Sequence, residues 1–158
     1  MHLNCKDSNQ IDKLVYLYNY ILARNEYPSV KLFELMNKQY PIIFVWGYVN
    51  NPQKGKIINA WNIVKIENNF YHLDATFDIT RNPNSLKGTE NPFSLPSVKS
   101  TEFCSKYLLV SDKIILNSHL WNKKFYPLCK SSYPRCIIMN SIKNLRFQGV
   151  QFNYKQNY

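Results

Sequence analysis

Cysteine, histidine and aspartate are the residue types in this 158-residue chain that could carry nucleophilic or metal chemistry. Its four cysteines are Cys5, Cys104, Cys129 and Cys136, and none of them forms a C-x-x-C pair. Structural zinc sites use paired short ligand spacings, so we expect no metal. Only four glycines are present and no glycine-rich phosphate loop, so we expect no nucleotide cofactor either. Cys129 and Cys136 could form a disulfide in an oxidising compartment, and the sequence leaves that compartment open.

The elements that must position these residues are predicted as helices first and strands after. Apolar residues at helical spacing predict a helix over residues 10–25, and Pro28 prevents its smooth continuation. Ser29 is a candidate N-cap for a second helix that ends before Pro41. Strands are predicted at 42–49, 57–66 and 70–76, then at 108–116, 136–139 and 149–153, with a surface loop over 81–100. Asn68 and Asn69 form the predicted turn between the second and third strands, which pairs Glu67 with Phe70. The fold class is α+β, with helices packed on an antiparallel sheet.

The composition predicts a globular protein. Apolar residues make up 45% and aromatic residues 15%, so the chain can bury a core. We interpret residues 1–158 as one domain with a core at about 9–152. The longest apolar stretches are far shorter than the roughly 20 residues of a membrane span, and no signal-peptide pattern opens the chain. The sequence does not indicate a localisation.

The charge balance is basic but dispersed. Lys and Arg number 20 against 10 Asp and Glu, which gives a formal charge of +10. The basic residues extend from Lys6 to Lys155, with no run longer than Lys123-Lys124. Nucleic-acid-binding surfaces are marked by clustered basic residues, so nucleic acid is not the expected partner.

Two neighbouring segments resemble the transglutaminase-like superfamily, whose hallmark is an H-A-W-N strand, a turn and a (W/Y)-x-x-D-x-T-(W/F)-D strand. Here they read Asn59-Ala60-Trp61-Asn62 and Tyr71-His72-Leu73-Asp74-Ala75-Thr76-Phe77-Asp78. Further blocks similar to the family's follow its order over about residues 12–129, among them Val45-Trp46-Gly47-Tyr48 and Ser118-His119-Leu120-Trp121-Asn122. The resemblance implies a papain-like core.

Active members of that superfamily use a Cys at the N-terminus of the core helix, a His on the next strand and an Asp on the partner strand. The helix end and the imidazole favour the reactive thiolate, and the carboxylate orients the imidazole. The resemblance assigns the His position to Asn59, the Asp position to Asp74 and the nucleophile to Glu26 or a neighbour within 25–29, where no Cys occurs. An amide has no accessible pKa and cannot shuttle a proton. Trp61 lies on the site face by parity and is the expected cleft wall.

Three functions are therefore open. The first is a non-catalytic transglutaminase-like domain that binds a protein or peptide, with no catalytic residue at Glu26 or Asn59. The second is an active cysteine transglutaminase or peptidase that uses a displaced Cys5, His72 and Asp74. His72 and Asp74 share a strand face, but a free thiol at Cys5 and a non-catalytic His72 are the simpler interpretation. The third is a basic anion- or nucleic-acid-binding protein. We interpret His119 as a packing residue.

Overall fold

The computed structural model describes residues 5–24, 28–81 and 106–147. We number the helices and strands in chain order. They are α1 (Cys5–Arg24), α2 (Pro28–Met36), β1 (Ile42–Asn51), β2 (Gly55–Ile66), β3 (Asn69–Leu73), α3 (Ala75–Arg81), β4 (Leu108–Val110), α4 (Asp112–Ile115), β5 (His119–Trp121) and α5 (Arg135–Phe147), with a 3-10 turn at Lys123–Phe125. None of the helices in these ranges has the length and apolar character that crossing a membrane requires.

The five strands form one antiparallel sheet in the order β4-β3-β2-β1-β5. The long β1–β2 hairpin is its centre, and the short strands β4 and β5 lie at its edges. The predicted α+β class and antiparallel sheet are confirmed. The predicted order is only partly right, because α5 follows the sheet and packs against α1.

The two faces of the sheet bury different cores. On the helix face, Ile42, Val64 and Leu73 pack with the apolar stripes of α1, α2 and α5. The α1 stripe is the predicted one, since Ile11, Leu14, Val15, Tyr18 and Ile21 are all buried. On the opposite face, which we call the site face, Val45, Trp61 and Ile63 pack with residues that follow β3 in the chain. Alternation along β1 and β2 assigns each side chain to one face or the other.

Several predicted strand boundaries are wrong, and capping explains two of them. Residues 70–76 do not form one strand, because β3 ends at Leu73 and the Asp74 carboxylate accepts a hydrogen bond from the Phe77 N–H at 2.8 Å, as an N-cap of α3 does. Residues 108–116 divide into β4 and α4, and Ser111 caps α4. Residues 136–139 are helical within α5. The predicted loop over 81–100 is wrong at Arg81, which is the last residue of α3, and its other residues lie outside the described part, as does the strand predicted at 149–153.

The turn between β2 and β3 also differs from the prediction. Ile66 pairs with Asn69, so the two-residue loop is Glu67-Asn68, and Glu67 carries the positive φ of 53°. The pairing is shifted by two residues from the predicted Glu67–Phe70 register. An even shift leaves every side chain on the same face, so the predicted parity of Asn59 and Asp74 is unaffected.

Candidate functional site

The candidate site is centred on Asp74, at the junction of β3 and α3. Asn59 on β2 donates from Nδ2 to Asp74 Oδ2 at 2.7 Å. His119 on β5 contacts the same oxygen through Nε2 at 2.7 Å, and the Phe77 N–H binds the other oxygen. Asp74 and His119 are completely buried, whereas Asn59 is partly exposed. Three elements therefore satisfy one carboxylate, and Asn59 is the member that solvent can reach.

The His119 hydrogen bonds continue away from Asp74. Its Nδ1 lies 2.7 Å from Ser118 Oγ, which in turn lies 3.2 Å from the Tyr107 hydroxyl. A carboxylate only accepts hydrogen bonds, so we assign a proton to Nε2. Tyr107, Ser118, His119, Asp74 and Asn59 form a continuous hydrogen-bonded chain.

That chain contains a Ser–His–Asp order, which invites comparison with a serine hydrolase triad. Such a site also needs hydrogen-bond donors that stabilise an oxyanion near the nucleophile. The Ser118 N–H is already bonded to the Ile115 carbonyl at 3.1 Å, and the His119 imidazole has no solvent-accessible surface. Ser118 and His119 are therefore buried residues whose hydrogen bonds hold Asp74 in place.

His72 belongs to a second, separate network on the same sheet face. The Trp61 indole N–H donates to His72 Nδ1 at 3.0 Å, and His72 Nε2 lies 2.7 Å from Asp112 Oδ1. Indole nitrogen can only donate, so Nδ1 carries no proton and Nε2–H donates to Asp112. Burial lowers the pKa of His72 below its ordinary 6.5, against the opposing effect of Asp112. Both ring nitrogens are engaged, and the imidazole is held neutral.

Cys129 completes a group with His72 and Asp112 whose candidate ligand atoms all lie within 4.8 Å of one another. Thiolate, imidazole and carboxylate are all zinc ligands. The protonation state opposes a metal, however, because Nε2 would have to lose its proton while Nδ1 still accepts from Trp61. Burial, with the nearby Asp112 charge, also raises the pKa of the Cys129 thiol. Among the described residues, this group is better explained as a buried hydrogen-bonded cluster than as a metal site.

Trp61 packs beneath the site. It has no exposed surface, and its ring meets His119 edge to face at a centroid distance of 4.9 Å. Gly47 on β1 permits this position, because a Cβ there would lie 2.7 Å from the Trp61 ring and 2.2 Å from the Leu120 carbonyl oxygen. Trp61, the predicted cleft wall, is instead a fully buried core residue that packs against His119 and Trp121.

The N-terminus of α2 approaches this junction. Ser29, in its first turn, has its hydroxyl 2.9 Å from the Thr76 hydroxyl, two residues after Asp74. Glu26 lies outside the described residues. Cys5 begins α1, and its side chain is outside the described part as well. Of the residues singled out in the sequence, the structure brings Asn59 and Asp74 into direct contact, and it pairs His72 with Asp112 instead of Asp74.

Sequence reasoning missed the role of His119. Its distance from Asp74 in the chain gives no local signal, and only the β1–β5 pairing of Val49 with His119 brings it to the site face. The Asp74 cap of α3 did have a signal, since an Asp precedes Ala-Thr-Phe-Asp in a typical helix-start composition.

A pocket of about 450 Å³ lies elsewhere, at the start of β1. Ile43, Ile63 and Phe70 line it together with the turn over residues 37–41. None of Asn59, Asp74 or His72 is among its lining residues.

The chain matches no known protein-family model and no curated protein sequence.

Proposed function

We propose that the chain is a transglutaminase-like domain with a papain-like core that has lost acyl-transfer chemistry and acts as a protein- or peptide-interaction module. The observation that carries the proposal is the 2.7 Å hydrogen bond from Asn59 Nδ2 to Asp74 Oδ2. The resemblance assigns a catalytic imidazole to position 59. An amide there holds the carboxylate but can neither take nor give a proton at neutral pH.

The relative placement of three elements supports the family assignment. A short helix, α2, has its first turn against the start of α3 through Ser29 and Thr76. The strand that carries Asn59 is β2, and Asp74 follows its antiparallel partner β3. This is the order in which the superfamily arranges its nucleophile helix, histidine strand and aspartate strand. Fold alone does not specify activity, so the residues at these positions decide the function.

The sequence of residues 25–29 supports the loss of chemistry independently. Asn25, Glu26, Tyr27, Pro28 and Ser29 include no thiol. A carboxylate at Glu26 would also disfavour a thiolate nearby, because like charges repel. Residues of a catalytic unit act together, so the loss of both the thiol and the imidazole leaves no route to an acyl-enzyme.

The displaced arrangement of Cys5, His72 and Asp74 finds no support in the contacts of His72. Its two ring nitrogens bind Trp61 and Asp112, and it has no solvent-exposed surface. A general base needs one ring nitrogen within reach of the nucleophile's proton. Use of His72 would require breaking one of these two buried hydrogen bonds.

Thiol reactivity tests the proposal. The native protein is treated with an electrophilic probe such as iodoacetamide, and labelling rates at each cysteine are measured by mass spectrometry in the parent and in His72→Ala. We expect Cys5 to react no faster than an ordinary thiol, which has a pKa of about 8.5, and to be unaffected by the His72 substitution. Rapid labelling of Cys5 that slows in His72→Ala would overturn the proposal in favour of a thiol enzyme.

The anion-binding alternative is tested by salt. A protein whose basic charge binds nucleic acid loses affinity steeply as salt rises, because phosphate contacts release counterions. We expect only weak binding of a single-stranded oligonucleotide at about 150 mM salt, in the non-specific range. Tight binding with a steep salt slope would favour the alternative.

A further inference from the structure

An exposed group of apolar side chains lies on the helix face of the sheet, beyond the region that the helices cover. We define the apolar strip as Trp46 and Tyr48 on β1, Ile58 on β2 and Leu120 on β5. Tyr48 pairs with both Ile58 and Leu120 across the sheet, and Trp46 is two residues away on the same strand face. Their exposed fractions are 65%, 43%, 72% and 46% in the order named. Side chains this exposed and this apolar, grouped on three adjacent strands, are typical of an interaction surface.

The dimensions of the strip favour a short segment as its partner. Two residues along a strand span about 7 Å, and three adjacent strands span about 10 Å. That footprint accommodates one or two apolar side chains. A stable interface between folded proteins usually buries about 800 Å² on each side, which is far more than the strip offers.

Helix α2 forms a step beside the strip. Its Phe33 packs against Phe44 on β1 at a ring-centroid distance of 4.8 Å, and Phe44 is 6.4 Å from Trp46 on the same face. A helix with its side chains is about 10 Å thick, so the strip lies at the foot of a step of that height. A flat lipid surface would meet the helix first, whereas an extended peptide can lie along the step.

The charge around the strip selects an acidic partner. No Asp or Glu occurs between Glu34 and Glu67 or after Asp112, so β1, β2 and β5 carry no acidic residue. Lys56, which lies on the same face of β2 as Ile58, places its ammonium 4.3 Å from the centre of the Tyr48 ring. Two copies of this chain docked through the strip would bring their Lys56 side chains close together, which disfavours self-association.

We propose that the apolar strip is a docking surface for an acidic peptide segment that carries aliphatic or aromatic anchor residues. The inference rests on the proposed function and specifies the surface that performs it. Anchors of the peptide cover Ile58 and Leu120 beside the Tyr48 ring, and its carboxylates face Lys56. In peptide recognition of this kind, contacts with the peptide's apolar side chains give specificity, and complementary surface charge raises the association rate.

The experiment is a selection of random 12-residue peptides displayed on phage against the full chain, followed by measurement of the most enriched peptide. The peptide is synthesised with fluorescein, and its dissociation constant is measured by anisotropy for the parent, Ile58→Ser and Ile114→Ser. Ile114 is the matched control, because it is 41% exposed but lies on α4. Ile58 is 72% and Ile114 is 41% exposed, so neither substitution empties the core and both variants are expected to fold.

We expect the enriched peptides to combine net negative charge with aliphatic or aromatic residues. Ile58→Ser removes the apolar contact that the bound peptide would bury, so it should weaken binding about tenfold or more. Ile114→Ser should bind the peptide as the parent does. Lys56→Glu should also weaken binding, and the affinity should fall as salt rises. The proposal would be overturned if no peptide is enriched, or if the enriched peptides lack an acidic and apolar pattern. Equal effects of the two Ser variants on binding would also overturn it.

Two further ligands separate this surface from other partners. Vesicles that contain phosphatidylserine and a single-stranded oligonucleotide are tested with the same variants. Binding of either one that Ile58→Ser abolishes would identify the strip as a lipid or nucleic-acid surface and overturn the peptide proposal. Failure of the proposed function has a different signature, since release of ammonia or a cleaved product from the selected peptide would show catalysis and leave the docking result intact.

Discussion

His119 and Asp74 are 45 residues apart in the chain, and they meet through His119 Nε2 and Asp74 Oδ2 at 2.7 Å with neither side chain exposed. The imidazole that holds Asp74 therefore comes from β5, and Asn59 on β2 shares the same oxygen. Because Phe77 binds the other oxygen, the carboxylate joins β2, β5 and α3. Asp74 has a structural role that does not depend on catalysis.

Asp74→Ala is expected to lower the free energy of unfolding by about 3 kcal/mol or more. The substitution leaves the buried His119 and the Phe77 N–H without their acceptor, and each buried unsatisfied group costs about 1–3 kcal/mol, while Asn59, which solvent can reach, adds less. Urea denaturation measures the difference. Glu34→Ala is the control, because Glu34 is exposed and pairs with Lys31 at the surface, and it should change stability by less than about 1 kcal/mol. Equal stability of Asp74→Ala and the parent would contradict the buried network.

Gly47→Ala is expected to destabilise the protein by about 3 kcal/mol. The new methyl would collide with the Leu120 carbonyl and the Trp61 ring, both of which are fixed in the sheet and its core. Thermal and urea unfolding measure the change. Gly55→Ala is the matched control, since Gly55 has a φ of 74° and open space around it, so only a backbone penalty of about 1–2 kcal/mol applies. A Gly47 variant as stable as the Gly55 variant would show that β1 and β5 can move apart without cost.

The sequence predicted the parts of this arrangement that depend on local periodicity. The stripe of α1 and the strands β1 and β2 follow from apolar spacing, and the shared face of Asn59 and Asp74 follows from strand parity. The prediction of a strand at residues 136–139 is wrong, because four apolar residues are too few to distinguish the 3.6-residue period of a helix from the two-residue period of a strand. The stripe of Ile138 and Ile142 belongs to a helix.

The contacts of the two buried histidines could not be predicted from the sequence. His72 reaches Asp112 and His119 reaches Asp74 only after the sheet has paired strands that are distant in the chain. The sequence offered Asp74 as a partner of His72 only in the disfavoured displaced arrangement, because the two share a strand face. The structure instead gives each histidine a carboxylate from a different element.

The stability of the protein is expected to fall as the pH drops below about 6.5. Burial lowers the pKa of His72 in the folded state, so at acidic pH the unfolded chain binds a proton that the folded chain resists. The stabilisation is thus fully present above the unfolded pKa of about 6.5 and is lost as the pH falls toward the lower folded pKa. Urea midpoints at pH 7, 6 and 5 measure the effect. His72→Gln should show a shallower decline between pH 7 and 5, and a decline identical to that of the parent would contradict a neutral, buried His72.

Loss of acyl-transfer chemistry is tested by the release of ammonia from a glutamine-containing donor peptide in the presence of a primary amine. It is performed on the parent and on Asn59→His, each before and after alkylation with iodoacetamide. Neither protein should release ammonia above the rate of a protein-free control, because restoring an imidazole beside Asp74 supplies a base but no thiol for it to activate. Turnover by the parent that alkylation abolishes would show that the chain is an active thiol enzyme.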